Sequence, residues 1–166
     1  MEELKEEVRV YLDGSGIGRQ VGVAVVLFRN REEIRELRKQ IGPEDQHTIF
    51  EGEVVGMLLA AELIRAEGYV DMEVIGINSH SQVAIWVTGS TRGSSGQHLL
   101  TKLHDHMALA QCRCGEVAIV LRWIPGHEGL HENERVDEEA KKAARGDSSP
   151  ACLLPQTCRG YILISR

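Results

Sequence analysis

The segment WIPGHEGLHENERVDEEAKKA (123–143) decides the fold, because it joins the end of a strand to a helix through a short loop. The residues EVAIVLRWI (116–124) form a largely apolar run and predict a strand. After the loop, NERVDEEAKKAA (133–144) has apolar residues at helical spacing and predicts a helix, with Asn133 as its N-cap. Trp123 is predicted to be a core aromatic rather than a platform for a base. The segment is therefore typical of an α/β layer fold.

The preceding sequence predicts a three-stranded meander followed by alternating helices and strands. The predicted strands are 8–13, 20–28, 31–42 and 72–77, the predicted helices are 50–66, 81–87 and 97–110, and the predicted turn and loop are 14–16 and 89–96. The charges of 31–42 would also suit a surface helix, but a strand completes the meander. The order predicts a mixed sheet with helices on both faces.

Composition limits the classes of protein that this chain can belong to. Its 166 residues are 42% hydrophobic, which predicts one domain over residues 8–145 between a charged lead-in (1–7) and a proline-containing tail (146–166). The net charge of −6 excludes a strongly basic nucleic-acid binder. No apolar run approaches the roughly 20 residues of a membrane span, and the acidic N-terminus does not resemble a signal peptide. The four cysteines have no zinc-site spacing and predict free thiols in an intracellular protein.

Three carboxylates occupy positions where a purely structural residue would be surprising. Asp13 ends the first strand, Glu53 lies in the first turn of the most apolar helix, and Asp137 lies in the first turns of the last helix. Each alone could stabilise a turn or a helix N-terminus. Together they can converge on one edge of the sheet, where their mutual repulsion would be relieved by Mg²⁺. A pair of such ions is the usual arrangement for cleaving phosphodiesters.

Four motifs occur in an order that resembles a known family. They are YLDGSG (11–16), EGEVVG (51–56), SHSQVAI (79–85) and the segment 123–143. This set resembles the ribonuclease H domain, most closely that of retrotransposon reverse transcriptases of the fungal non-LTR type. The resemblance implies a ribonuclease H-like fold, with a mixed five-stranded sheet of three antiparallel strands and then parallel ones. It also implies hydrolysis of the RNA strand of RNA/DNA hybrids.

The resemblance further implies a cofactor, partners and a location. Two Mg²⁺ ions would support catalysis, with Mn²⁺ as a substitute. The partners would be the RNA/DNA hybrid and a reverse transcriptase domain in a parent polyprotein, with no membrane association. The protein would be a monomer in the nucleus or cytoplasm.

The resemblance also assigns roles to individual residues. Asp13, Glu53 and Asp137 match metal ligands, and His127 matches a mobile histidine that assists proton transfer or product release. The substrate contacts implied by the resemblance are Gly14, Ser15, Thr48, Gln82 and Asn133.

The third metal-ligand position departs from the family pattern, which has Asp there. Alignment on the Ser-Gln pair places His80 at this position, whereas alignment on the strand places Asn78 there. Neither residue supplies a carboxylate, and imidazole suits Mn²⁺ or Zn²⁺ better than Mg²⁺. We therefore expect activity that is weak, shifted toward Mn²⁺ or absent. The alternative is a catalytically inactive domain that binds nucleic acid or a protein.

Overall fold

A computed structural model describes residues 8–69, 72–80, 97–125 and 130–162 of the chain. The strands are β1 (Val8–Ile17), β2 (Gln20–Arg29), β3 (Glu32–Pro43), β4 (Val74–Ser79) and β5 (Ala118–Trp123). The helices are α1 (Ile49–Glu67), α2 (Gln97–Cys114) and α3 (His131–Ala144), followed by 3₁₀ turns at Ala151–Leu153 and Gln156–Cys158. The lead-in 1–7, the predicted helix 81–87 and the predicted loop 89–96 lie outside the described residues. Within the described part, no helix is both long and apolar enough to span a bilayer.

The five strands form one mixed sheet in the order β3-β2-β1-β4-β5. The first three strands form an antiparallel meander, and β1–β4 and β4–β5 pair in parallel. This confirms the predicted sheet, including the assignment of 31–42 as a strand. A hairpin with a two-residue turn can join antiparallel strands, whereas the parallel β1–β4 pair needs the crossover that α1 provides.

Helices cover both faces of the sheet, as predicted. On one face, α1 packs against α2 and buries an aliphatic core with alternate residues of β1 and β4, including Val10, Leu12 and Ile77. On the other face, Val136 and Ala140 of α3 pack against aromatic and aliphatic residues of β1 and β2. The small side chains of α3 bring its backbone close to the sheet, which fixes the position of any functional residue that α3 carries.

The hairpin between β1 and β2 lies further along the chain than predicted. The predicted turn at 14–16 is instead paired in β1, where Gly14 lies opposite Val23. The chain reverses at Gly18 and Arg19, which both have positive φ, at 57° and 61°. Pairing with β2 therefore overrides the local turn signal of the glycines.

The last helix begins earlier than the sequence predicted. Leu130 is the N-cap of α3, so the prediction of Asn133 as the cap is wrong. Glu132 and Glu134 lie in the first turn, where their charges favour the N-terminal end of the helix dipole. Asn133 therefore lies inside the helix, and its side chain is available for another role.

The residues that follow α3 pack against the domain. Leu154, Cys158 and Ile162 are buried in the main core. The amide of Ser149 donates to the Arg38 carbonyl of β3 at 2.9 Å, and the Ser149 hydroxyl accepts from the Arg38 amide at 2.8 Å. Because β3 is an edge strand, these bonds cover backbone groups that would otherwise be open to another chain.

Candidate active site

Asp13 lies in β1, beside the end of the parallel strand β4, and its side chain is partly buried. Its Oδ1 accepts a hydrogen bond from the Gly14 amide at 2.8 Å. Burial raises the pKa of Asp13 above its ordinary value, and the negative charge of Asp137 raises it further. The Gly14 bond and the charges of His80 and Lys141 act in the opposite direction without cancelling the shift. The structure thus brings carboxylates from β1 and α3 into one electrostatic site.

The first turn of α1 is held in place by its cap. The Thr48 hydroxyl accepts from the Glu51 amide at 3.1 Å, which satisfies one of the open amides of the helix. Glu51 is buried and its Oε2 lies 3.0 Å from the Nδ1 of His47. Of the two glutamates in the E-G-E motif, Glu51 therefore supports the helix end, and only Glu53 reaches the cavity described next. Thr48 is exposed, but its hydroxyl has a structural role as well as any contact with substrate.

Asp13 and Glu53 line one cavity of about 690 Å³ between the end of β1 and the start of α1. Gly14, Ser15 and Gly16 form one side, where small side chains would let a ligand approach the backbone. Glu44 and Asp45, which precede α1, add further acidic groups to the lining. The cavity is therefore suited to cations, whereas a bare phosphate would be repelled.

Asp137 lies on the exposed side of α3 and forms an ion pair one turn along the helix. Its Oδ2 is 2.7 Å from the Nζ of Lys141, and this contact raises the pKa of the lysine. Lys141 also interacts electrostatically with Asp13. A cationic group thus already compensates part of the acidic charge. The sequence analysis did not single out Lys141 for this role, although its i,i+4 spacing from Asp137 was visible.

The two candidates for the third ligand position lie at different levels of β4. Because β4 runs two residues beyond its predicted end, Asn78 is buried within the strand opposite Tyr11. Ser79 pairs with Leu12, which is the last pair between β1 and β4, so the next residues, His80 and Asp13, lie side by side just beyond that pairing. The charge interaction between Asp13 and His80 agrees with this register.

Trp123 holds the backbone at the end of β4. Its Nε1 donates to the His80 carbonyl at 3.0 Å, and the next amide, of Ile124, donates to the Ser79 carbonyl at 2.9 Å. The expectation that Trp123 is a core aromatic is wrong, since 45% of the residue is exposed. It sits at the end of the edge strand β5, where its N–H finds a partner while its ring faces solvent.

Of the remaining predicted site residues, some carry buried polar atoms without a partner and others lie outside the described residues. The side-chain amide atoms of Asn133 are buried and have no hydrogen-bond partner among the described residues. His80 shows the same feature at Nδ1. His127 and Gln82 lie outside the described residues. Such polar atoms are costly to bury unless a ligand or water completes them.

The fit of a divalent metal to these residues is partial. Within the described ranges, no three His, Cys, Asp or Glu side chains lie in an arrangement that could hold a metal ion. The acidic lining of the cavity and the contact of Lys141 with Asp137 nevertheless indicate that the site favours positive charge. A cation therefore suits Asp13 and its neighbours electrostatically, although Lys141 already pairs with one carboxylate oxygen of Asp137.

Comparisons with solved structures agree on the fold. LC11-RNase H1, solved in complex with an RNA/DNA hybrid, aligns with 84% of this chain and 97% of its own, at a TM-score of 0.63 and 20% identity. RNase H1 from the archaeon Halobacterium salinarum NRC-1 aligns with 85% and 99%, at a TM-score of 0.59 and 20% identity. At this identity the likeness shows that the fold is shared.

Sequence comparisons identify the family. The ribonuclease H of Anaeromyxobacter dehalogenans strain 2CP-C is 30% identical over 103 residues, which cover 57% of this chain. A ribonuclease H from Anaeromyxobacter sp. strain K matches to the same extent. The chain spans about half of these relatives, 55% of the length of each. The sequence model of the RNase H family matches residues 5–145, which include the strand, helix and loop motifs described above. The chain therefore belongs to the ribonuclease H family.

Proposed function

We propose that this protein hydrolyses the RNA strand of RNA/DNA hybrids with the help of divalent metal ions. The observation that carries the proposal is the cavity lined by both Asp13 of β1 and Glu53 of α1. Asp137 of α3 lies near enough for its charge to raise the pKa of Asp13. Family membership supports the reaction class. The complex of LC11-RNase H1 with an RNA/DNA hybrid supports the substrate.

The metal ions would be held by Asp13, Glu53 and Asp137, with His80 or Asn78 at the third position. The strand register and the proximity of His80 to Asp13 favour His80. Two Mg²⁺ ions, or Mn²⁺ in their place, would activate water and stabilise the charge that develops on the scissile phosphate. His127 would assist proton transfer or product release.

Recognition of the hybrid would use backbone and neutral polar groups. Gly14 and Ser15 line the cavity and would admit the RNA backbone. Asn133, whose amide lacks a partner in the described part of the chain, would contact substrate. Gln82 would contact the minor groove of the hybrid, and Thr48 would contact a phosphate of the DNA strand. Because the chain has a formal net charge of −6, we expect weak affinity for the hybrid, which decreases further as salt is added.

The proposal also covers the relation to retrotransposons, the oligomeric state and the cellular location. The segment HTIFEGEVVG (47–56), which contains the second motif, and the segment 123–143 are similar to those of retrotransposon reverse transcriptases. This similarity supports a reverse transcriptase domain in a parent polyprotein. We propose a monomer that acts in the nucleus or cytoplasm.

A second candidate function is a catalytically inactive domain that binds nucleic acid or a protein. Two observations favour this function. The third metal-ligand position carries no carboxylate, and Lys141 forms an ion pair with Asp137. The two functions differ in whether bound hybrid is cut.

Cleavage of an end-labelled RNA/DNA hybrid in Mg²⁺, and separately in Mn²⁺, tests the proposal. Cutting by the wild type that disappears in Asp13→Asn would support it and exclude a contaminating nuclease. We expect His80→Asp to increase cleavage in Mg²⁺ and Asn78→Asp to leave it unchanged. Hybrid that is bound but uncut by the wild type and by both restored variants would reject the nuclease function in favour of the second candidate.

A further inference from the structure

We propose that His80 makes the site selective for Mn²⁺-class transition metals, so that it binds one such ion more tightly than Mg²⁺. The inference rests on the proposed function only in that it concerns the same site. It predicts a binding property that can be measured without substrate.

The backbone position of His80 is fixed by the strands on both sides of β4. On one side, the pairing of Leu12 with Ser79 brings His80 next to Asp13. On the other side, Trp123 donates a 3.0 Å hydrogen bond to the His80 carbonyl. The backbone that carries the imidazole is therefore anchored by two neighbouring strands before any ion binds, so little backbone entropy remains to be lost on binding.

The imidazole has an available ligand atom. Its Nδ1 is buried, yet no group among the described residues forms a hydrogen bond with it. A buried polar nitrogen without a partner costs free energy, which a bound ion or water would recover. Neutral imidazole is a good ligand for Mn²⁺, Co²⁺ and Zn²⁺, while Mg²⁺ prefers oxygen ligands and retains its waters.

The charge of the site favours one ion rather than two. Asp13, Glu53 and Asp137 supply three carboxylates, and His80 adds a neutral group where the family pattern has a fourth. Lys141, 2.7 Å from Asp137, offsets one of the three. Glu44 and Asp45 of the same cavity are exposed to solvent. The side chains beside His80 therefore carry too little negative charge for two divalent ions until a substrate phosphate is bound. A single ion near Asp13 and His80 would not require Asp137 to leave Lys141.

A titration of the intact protein with Mn²⁺, followed by the electron paramagnetic resonance signal of free Mn²⁺, measures affinity and stoichiometry. We expect one bound Mn²⁺, which Mg²⁺ displaces only at an excess of at least about tenfold. We expect His80→Ala to weaken Mn²⁺ binding by about tenfold or more. Further, His80→Asp should strengthen Mg²⁺ binding and reduce the preference for Mn²⁺. His98→Ala, which removes an exposed histidine of α2, is the matched control and should bind like the wild type.

A second measurement needs no variant. Substoichiometric Mn²⁺ should broaden the nuclear magnetic resonance signals of the His80 ring before those of His98. Equal broadening of the two, equal affinities of the wild type for Mg²⁺ and Mn²⁺, or unchanged Mn²⁺ binding in a folded His80→Ala protein would each overturn the inference.

Failure of this inference and failure of the proposed function give different results. Selective Mn²⁺ binding without hybrid cleavage in either metal would support the inference and reject the nuclease. Cleavage in Mg²⁺ by a protein that binds Mg²⁺ and Mn²⁺ equally would support the nuclease and reject the inference.

Discussion

At the scale of single residues, Asp13 combines a functional position with a cost in stability. Burial and the charge of Asp137 raise its pKa, so ionised Asp13 destabilises the fold. We expect Asp13→Asn to raise the melting temperature in the presence of EDTA by about 2–4 °C for each kcal/mol gained. Calorimetry of the two proteins checks this. A lower melting temperature for the variant would show that the Asp13 carboxylate stabilises the fold.

His106 on α2 gives a prediction about pH. Burial lowers its pKa, although the charges of Glu62 and Asp105 oppose the shift. Because the unfolded chain then binds the proton more readily, stability should decrease as pH falls below about 6.5 and through the lowered folded pKa. Urea unfolding at pH 7.5 and pH 5.5 should show a smaller loss for His106→Gln than for the wild type. His104→Gln, at an exposed position, should retain the loss seen in the wild type.

At the scale of secondary-structure elements, the contact of β2 with α3 decides where Asp137 lies. A Cβ atom added to Gly22 would lie 2.1 Å from the Ala144 amide nitrogen and 2.7 Å from the Ala140 carbonyl oxygen. Both are backbone atoms, so the helix itself would have to move. Only glycine allows this close approach.

We therefore expect Gly22→Ala to destabilise the protein by about 1–3 kcal/mol or more, because it overpacks a rigid contact. Chemical denaturation measures the change. Gly16→Ala is the matched control, since nothing lies within 4 Å of its added Cβ. A similar loss in both variants would mean that the backbone freedom of glycine, rather than the contact, matters at Gly22.

A buried ion cluster also joins α3 to β3. Glu139 is buried and accepts hydrogen bonds from Arg38, Arg135 and Lys142. Burial alone would raise the pKa of Glu139, but the three cationic donors hold it below its ordinary value. The cluster thus links the helix that carries Asp137 to the edge of the meander.

We expect Glu139→Ala to cost about 3–5 kcal/mol, because it removes the shared acceptor of three donors. The neighbouring Glu138 is exposed and contacts only Arg135 among the ion pairs described, so Glu138→Ala should cost less than about 1 kcal/mol. Equilibrium unfolding of both variants provides the comparison. Equal losses would contradict a central role for Glu139.

At the scale of the whole molecule, packing in the core divides the cysteines into two classes. Cys112 and Cys152 are exposed, whereas Cys114 and Cys158 are buried. Burial raises the pKa of Cys158 to about 12 and also raises that of Cys114, so neither is a reactive thiolate near neutral pH. Iodoacetamide should modify two thiols in the native protein and four in denaturant, as counted by mass spectrometry. Rapid modification of Cys158 would show that the segment after α3 detaches.

The sequence by itself determined the local elements and the carboxylate positions. Period-two and helical patterns located the strands of the meander and α1, because these patterns reflect which face of an element is buried. The motifs around Asp13, Glu53 and Asp137 indicated one site, and the structure couples Asp13 to Asp137. The roles of these residues in metal binding remain predictions.

Tertiary structure alone decided the features that depend on pairing between distant residues. The end of β4, and with it the place of His80 beside Asp13, depends on the register with β1. The bond from Trp123 to His80 and the close approach of Gly22 to α3 likewise join segments far apart in the chain. A shift of one residue in a strand reverses its faces, and no local pattern fixes such a shift. Local preference thus specified the elements, whereas packing between them specified the site.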